Sequence, residues 1–544
     1  MKRRLTSIAF LGAAILSLSA CSFLMPDSNG GGYSYRPYSP SHASKIPDGE
    51  LQPVSPDCTY GDYIDNNVYP LSSTPTLGKA KLLVIPVWFN DSSSFISVSK
   101  KDSVVEDISA VYFGKNTDTG WRSVKTYYEE ESHGKLRMDG TVSNWYSVNQ
   151  SHQYYGQDAD HTKTTSLVES AVEWYFTTDN PSDTRTSYDC DKDGYLDGVI
   201  LIYAAPDYAT KGGSVSNLWA YCFWLQNTGA KNKAKPGANV FFWASYDFMY
   251  GKARALSRTG HDYSHGDTSN NVNADAHTYI HEMGHMFGLE DYYDYSNLKF
   301  MPAGAFSMQD QNVGGHDPYS SFALGWGKAY IPNASVNIEL QPFVTTGEMI
   351  ILSPNWNSFN SPFDEYLILE YYTTGGLNYL DSTHAYMGGY PTGSQESGIR
   401  LWHVDARLLY TNTPTIRSSY TASKITSNPN ISGQKVTHMF SNTYNDGSTD
   451  MENLSPLSSR NPENDPYSNY KMLELIRNNP VMTGRTKEPL RSSDLFKAGS
   501  SFKMSNYSKQ FVNETKLNNG SNLGFTFKVN SLNDSYASIS ITKS

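Results

Sequence analysis

His281-Glu282-Met283-Gly284-His285, continued by Met286-Phe287-Gly288-Leu289-Glu290-Asp291, is the stretch on which the reading of this chain turns. Ala276, Ile280, Met283 and Phe287 fall within a narrow arc when plotted at about 100° per residue, which predicts a helix with a core-facing stripe. His281, Glu282 and His285 lie on the other side. Two histidines four apart on a helix project side by side, so both imidazoles reach one tetrahedral zinc while the backbone between them stays rigid. Glu282, next to the first ligand, is placed to take a proton from a zinc-activated water, the role of a general base. Gly288 accepts the left-handed conformation at little cost and lets the chain turn off the helix axis. Asp291 then returns as the expected third ligand, with Glu290 the competing candidate one residue earlier. One Zn2+ is the cofactor expected from this stretch.

The flanking sequence predicts what the helix packs on. Lys81 to Phe89, KLLVIPVWF, reads as a buried strand, with Pro86 a blemish in it. Val124, Tyr127 and Tyr128 mark a short helix ending near Gly134, and Leu136 to Trp145 alternates like an exposed strand. Ser166 to Phe176 has helical spacing, Gly198 to Tyr203 is a second buried run, and Val240 to Tyr246 a third, aromatic one. Helix and strand alternate, so this half is expected to be an α/β layer; beyond about Pro332 short β-like runs such as Glu365 to Tyr372 and Ile399 to Val404 dominate. The aromatic strand before the helix is expected to offer an open edge on which an extended substrate adds.

The N-terminus opens with Lys2, Arg3 and Arg4, an apolar stretch from Ile8 to Leu18, and Leu18-Ser19-Ala20-Cys21, the pattern of a lipoprotein signal peptide. Lipidation of Cys21 would anchor the chain outside the cytoplasm, at the cell surface, with a Gly-, Tyr- and Pro-rich tether or short pro-segment behind it. If Cys21 is lipidated, Cys58, Cys190 and Cys222 remain, so one disulfide at most is expected. Charged residues make up only 18 % of the 544 residues, aromatics 13 %, and Tyr occurs 40 times, a surface composition suited to an extracytoplasmic protein. A net charge of -11 with no basic cluster argues against nucleic acid as a partner. The organisation expected is 1–20 leader, 21–78 tether or pro-segment, 79–332 catalytic domain and 333–544 mainly β, in a monomer.

HEMGHMFGLEDYYD, His281 to Asp294, resembles the immune inhibitor A family of secreted bacterial metallopeptidases, which carry HExxHxxGxxD. SVKTYYEEESHGKLRMDGTVSNWY from Ser123, DCDKDGYLDGVILIYA from Asp189, GHDPYSSFALGWG from Gly315, GIRLWHVD from Gly398 and DLFKAGSSF from Asp494 are similar to other family segments, so the likeness runs from about Lys79 to the C-terminus. The family's usual motif has Pro where this chain has Glu290. The resemblance implies an α+β, metzincin-like catalytic domain, with a twisted mixed sheet and the ligand-bearing helix, followed by the mainly β region. It implies a methionine turn beneath the zinc, with Met308 of AFSMQD in that role, and a zinc metalloendopeptidase acting on extracellular proteins and peptides. It also favours Asp291 over Glu290.

Two further readings stay open at this point. Asp189, Asp191, Asp193, Gly194 and Asp197 form D-x-D-x-D-G-x-x-D, which suits Ca2+, yet Ile200 stands where an EF-hand has its bidentate acid, so an acidic turn held by its own amides fits equally. His403 and Asp405 read as packing and hydrogen-bonding residues. The rival to an enzyme is a non-catalytic surface adhesin or glycan-binding protein whose Tyr and Trp residues stack on sugars; an intact Glu282 between the two ligands speaks against it.

Overall fold

The computed structural model describes residues 50–56, 74–158, 160–208, 217–225, 231–265, 273–289, 291–293, 301–310, 312–356, 362–383, 391–406, 408–411, 425–426, 435–439, 473–483 and 488–544. The expected leader, Cys21, Cys58, most of the 21–78 segment and Glu290 lie outside the described residues. None of the described helices is long and apolar enough to cross a membrane.

The segment read as a tether contains a strand. Leu51–Val54 (β1) pairs antiparallel with residues Lys328–Pro332, burying Leu51 and Val54 and leaving Gln52 and Pro53 exposed. Pro53 is tolerated because β1 is a sheet edge.

The first sheet is laid down by Gly78–Trp88 (β2), then helices Lys101–Phe113 (α1) and Val124–Glu131 (α2), strand Leu136–Val142 (β3), helix Thr162–Trp174 (α3), and strands Gly198–Tyr203 (β4), Tyr221–Trp224 (β5) and Val240–Ser245 (β6). Its order is β3-β2-β4-β6-β5. The first four strands run parallel and β5 closes the edge antiparallel to β6. Parallel strands covered on both faces must be apolar throughout, which is why VILIY and VFFWA read as unbroken runs. Pro86 costs little: β2 pairs with β3 as far as Val84 and with Tyr146 and Ser147 from Val87 onward, so the missing N–H falls beside the break between those partners. The expectation that Val240 to Tyr246 forms an open edge is overturned. β6 lies between β4 and β5, and among the described residues the edge at that end of the sheet is β5.

Helix His277–Met286 (α4) lies over β5 and β6. Its stripe is as expected: Ala276, Ile280, Met283 and Phe287 are buried. Three hydrogen bonds tie it to its neighbours, two of them received by its backbone carbonyls. Tyr279 donates its hydroxyl to Ser245 O at 2.7 Å, Tyr128 of α2 donates to Ile280 O at 2.6 Å, and the Cys222 thiol of β5 donates to Glu282 O at 3.0 Å.

Helix Pro318–Ala323 (α5) leads into the second half: Lys328–Pro332 (β7), Val336–Leu340 (β8), Glu348–Leu352 (β9), Glu365–Tyr372 (β10), Gly398–Asp405 (β11), Leu473–Ile476 (β12), Ser501–Phe502 (β13), Phe525–Leu532 (β14) and Ala537–Lys543 (β15). The second sheet runs β1-β7-β9-β10-β11-β12, and an antiparallel third sheet runs β13-β14-β15-β8. The strand period of two explains how the halves join. Along β10, Tyr366, Ile368 and Tyr372 enter the core shared with the first sheet, whereas Leu367, Leu369 and Tyr371 enter a second core against the third sheet. The second sheet is the wall between two cores, so every residue of β10 and β11 is buried although each strand alternates. His403 and Asp405 on β11 serve packing: His403 Nε2 meets Glu365 Oε1 at 3.0 Å, and Asp405 accepts from Asn518 Nδ2 at 2.9 Å.

Candidate active site

The end of α4 builds the site. Gly288 takes φ +97°, its N–H donates to His285 O at 2.9 Å and the Leu289 N–H donates to Gly284 O at 3.1 Å, the paired bonds of a Schellman C-cap. A residue with a Cβ would be strained there, and the turn sends Asp291 back toward the helix. Asp291 Oδ1 then lies 2.9 Å from His281 Nε2 and 3.2 Å from His285 Nε2. In a tetrahedral shell with bonds of about 2.0–2.1 Å, neighbouring ligand atoms are about 3.3 Å apart, so Asp291 already stands near the required spacing from each histidine, and all three donors lie within 4.8 Å of one another.

The far side of each imidazole is fixed. His281 Nδ1 faces Met308 O at 2.7 Å and His285 Nδ1 faces Leu289 O at 2.7 Å. A carbonyl accepts only, so each Nδ1 carries a proton, and Nε2 is the atom that faces Asp291 and that, on losing its own proton, would give its lone pair to a metal. The donor set of two imidazoles and one carboxylate, with these tautomers, fits zinc. Burial alone would raise the Asp291 pKa, but the charge of His285 and hydrogen bonds from both imidazoles hold it well below the usual carboxylate range. His285 is raised to about 10, because Asp291 outweighs a desolvation that would lower it. Those opposed shifts have one cause, a carboxylate enclosed with the two imidazoles that face it.

Glu282 is 7 % exposed, and burial pushes its carboxyl up, against the His285 and His281 charges that pull it down. Gly284 has no room for a side chain: a Cβ would stand 2.1 Å from Gln309 Oε1. Gln309 occupies that space and brings its Nε2 to 3.4 Å from His285 Nδ1.

Support from behind was not visible in the sequence. The Met308 segment is tied down by Asp317, which caps α5 by accepting from Ser320 N and also accepts from the Ser307 and Ser320 hydroxyls, while the Tyr292 hydroxyl meets Ser320 Oγ at 2.7 Å. One carboxylate thereby links the strands of chain before Met308 and after Asp291. Met308 is itself fully buried, and its backbone carbonyl is the group that touches His281. His316 packs against Tyr127, Tyr128 and Trp326, and burial with repulsion from His281 and His285 lowers its pKa to about 3, so it is a neutral filler behind the ligands. Tyr293 stacks on His281 with ring centroids 6.3 Å apart. Met308 was expected near the imidazoles, but no pattern assigned these roles to Asp317, His316 or Tyr293 in advance.

Of the four aspartates read as a Ca2+ motif, Asp189, Asp191 and Asp197 come together and Asp193 does not join them. Cys190 and Cys222 are free thiols.

A His-Glu-x-x-His helix over a mostly parallel sheet, with a carboxylate returned by a glycine turn, defines a metallopeptidase-type domain. Residues 79–309 match the family model described as immune inhibitor A peptidase M6, catalytic domain. The chain is similar to the pre-pro-metalloprotease PrtV of Vibrio cholerae serotype O1, in strain M66-2 and in strain ATCC 39315 / El Tor Inaba N16961 alike. The identity is 24 % over 253 residues, covering 41 % of this chain and 25 % of each relative. The chain thus spans about a quarter of the length of the curated relatives it matches.

Proposed function

We propose that this protein is a zinc metalloendopeptidase of metzincin-like architecture that hydrolyses peptide bonds of extracellular proteins. The observation that carries the reading is the convergence of His281 Nε2, His285 Nε2 and Asp291 Oδ1, with each Nδ1 committed to a backbone carbonyl. Zinc held there supplies the Lewis acidity that polarises a scissile carbonyl and activates water. Glu282 takes the water's proton and later delivers it to the departing amine, and no covalent intermediate on the protein is needed. Met308 lies beneath the ligands and keeps His281 in place through its carbonyl. Proteolysis by the purified protein beside Glu282→Ala, with zinc content measured in both, tests the reading; chelator-sensitive casein cleavage favours the enzyme, and the adhesin alternative gains if zinc-loaded protein is inert toward casein while metal-free protein keeps full glycan binding.

β5 supplies the edge on which an extended peptide adds. The Leu225 N–H bonds inward to Asn239 O, so by the alternation of an antiparallel ladder Cys222 and Trp224 direct their N–H and C=O outward. Trp224→Pro removes one outward donor and is expected to lower kcat/KM about tenfold, one to two hydrogen bonds' worth, while Trp224→Ala changes it much less. Equal activities in the two variants would exclude β5 as the docking strand.

Cys21 carries the lipid that keeps the protein at the cell surface, a reading supported by Leu18-Ser19-Ala20-Cys21 after the apolar stretch. Mass spectrometry of the mature N-terminus is expected to find diacylglycerol on Cys21; an unmodified terminus elsewhere would reject it.

A further inference from the structure

Residues 312–315 carry the chain from the Met308 turn toward α5, and each of them is held through its backbone. Asn312 O accepts from His277 Nε2 of α4 at 2.6 Å, and Gly314 O accepts from the Tyr127 hydroxyl of α2 at 3.0 Å. Gly315 O accepts from Met308 N at 3.2 Å, so the loop closes on the residue whose own carbonyl faces His281 Nδ1 at 2.7 Å. The two remaining holds come from the far half of the chain. Helix Asn378–Thr383 follows β10; its Asn378 Oδ1 accepts from Gly315 N at 3.2 Å, and the Asp381 carboxylate accepts from Val313 N.

Asn378 and Asp381 stand three apart, the spacing that puts two side chains on one face of a helix, and both are buried. The loop is shaped to receive them. A Cβ on Gly314 would stand 3.1 Å from Asn378 Oδ1, and one on Gly315 would stand 2.9 Å from Glu131 Oε2 of α2. Glycine at both positions therefore lets the loop backbone settle against side chains from both halves of the chain. The helix is itself anchored to the second sheet. Asn378 Nδ2 donates to Thr373 O at 3.1 Å just past β10, and Arg400 of β11, paired with Glu370 at 2.7 Å, supplies positive charge beside Asp381. A buried amide left without an acceptor is costly, so loss of either side chain would drive the loop to move until Val313 N or Gly315 N is satisfied elsewhere.

We propose that Asn378 and Asp381 are positioning residues for the His281 ligand: they fix residues 313–315, which fix Met308, whose carbonyl sets the imidazole. The proposal rests on the reading of His281 as a zinc ligand. The group behind a ligand histidine sets its tautomer and orientation, and here that group is a backbone carbonyl, only as firm as the loop that carries it. The C-terminal half thereby belongs to the support of the metal site, and residues 79–332 alone would lack the holds on Val313 N and Gly315 N.

Zinc affinity is measured by competition with a chromophoric chelator in full chains carrying Glu282→Ala, which prevents self-digestion, and kcat and KM are measured without that change. Asn378→Ala and Asp381→Ala are each expected to weaken zinc binding about tenfold or more, as disturbing the group behind a ligand histidine does, and to lower kcat while KM stays within about twofold. Asp381→Asn keeps an acceptor for Val313 N and should recover most of the zinc affinity lost in Asp381→Ala. Ile539→Val, in the core on the far side of the second sheet, is the control for a merely structural role. It should lower the melting temperature and leave zinc affinity and kcat unchanged. If one alanine variant does not fold, the other decides. Zinc affinity and kcat equal to the parent's in the alanine variants, or reduced no more than in Ile539→Val, would overturn the positioning role. A parent that binds zinc while its variants bind it equally defeats this proposal alone, whereas a parent that binds none defeats it together with the reading on which it rests.

Discussion

Glu282→Ala is expected to bind one zinc per chain as the parent does and to lose about 10²- to 10⁴-fold in kcat, the usual span for a positioned acid or base. Metal binding is spared because nothing that orients the ligands passes through the Glu282 side chain: His281 is set by Met308 O, His285 by Leu289 O, and Asp291 by the Gly288 turn. Stability should hold or rise. Burial raises the Glu282 pKa, so the folded chain binds that proton more tightly than the unfolded chain. Ionising the group in the metal-free chain therefore costs stability as pH rises above the unfolded value, a cost that alanine does not carry. Alanine is also the better helix former. A melting temperature at least equal to the parent's, with full zinc and little turnover, is the pattern that assigns the base; undiminished cleavage would remove Glu282 from the mechanism.

The parts of this fold legible in the sequence are those whose signal is local. Parallel strands buried on both faces appear as unbroken apolar runs, and α4 shows itself through Ile280, Met283 and Phe287 at helical spacing. Gly288 announced the turn because no other residue sits easily at φ +97°. What escaped was set by partners far away in the chain. β5 is four residues long, and its pairing with Val240 to Trp243 decides which strand is the edge, a tertiary fact with no local trace. β1 hides in a segment of tether-like composition because an edge strand can be short and carry a proline. At the site, side-chain ligands follow a spacing rule, but the two groups that orient the imidazoles are backbone carbonyls, identical in every residue and therefore silent in a sequence. Asp317 is silent for a related reason: it reads as an ordinary helix cap, and only the fold brings Ser307 to it.

Asp291→Asn carries the second large effect and decides between the two carboxylates at the turn. The substitution keeps size and shape while deleting the charge that faces two imidazoles at 2.9 and 3.2 Å. An amide oxygen is a far weaker zinc donor than a carboxylate. Zinc affinity is expected to fall by more than the 10- to 100-fold that loss of a mere supporting hydrogen bond costs, about 100-fold or greater, and cleavage with it. The metal-free protein should also suffer, by less than a fully buried pair would, because Asp291 and His285 form a pair that keeps some exposure. Removing one partner of such a pair costs about 3–5 kcal/mol when the other stays charged, and less here to the extent that His285 sheds its proton. Asp291 is held below the usual carboxylate range, so the stability it lends is present above its unfolded pKa and lost as pH falls toward its folded one. The parent should therefore lose stability on acidification through that window, and Asp291→Asn should show a flatter profile. Glu290→Gln is the control: it should retain zinc and activity. The reverse result, with zinc kept by Asp291→Asn and lost by Glu290→Gln, would move the third ligand to Glu290 and require the turn after Gly288 to be redrawn.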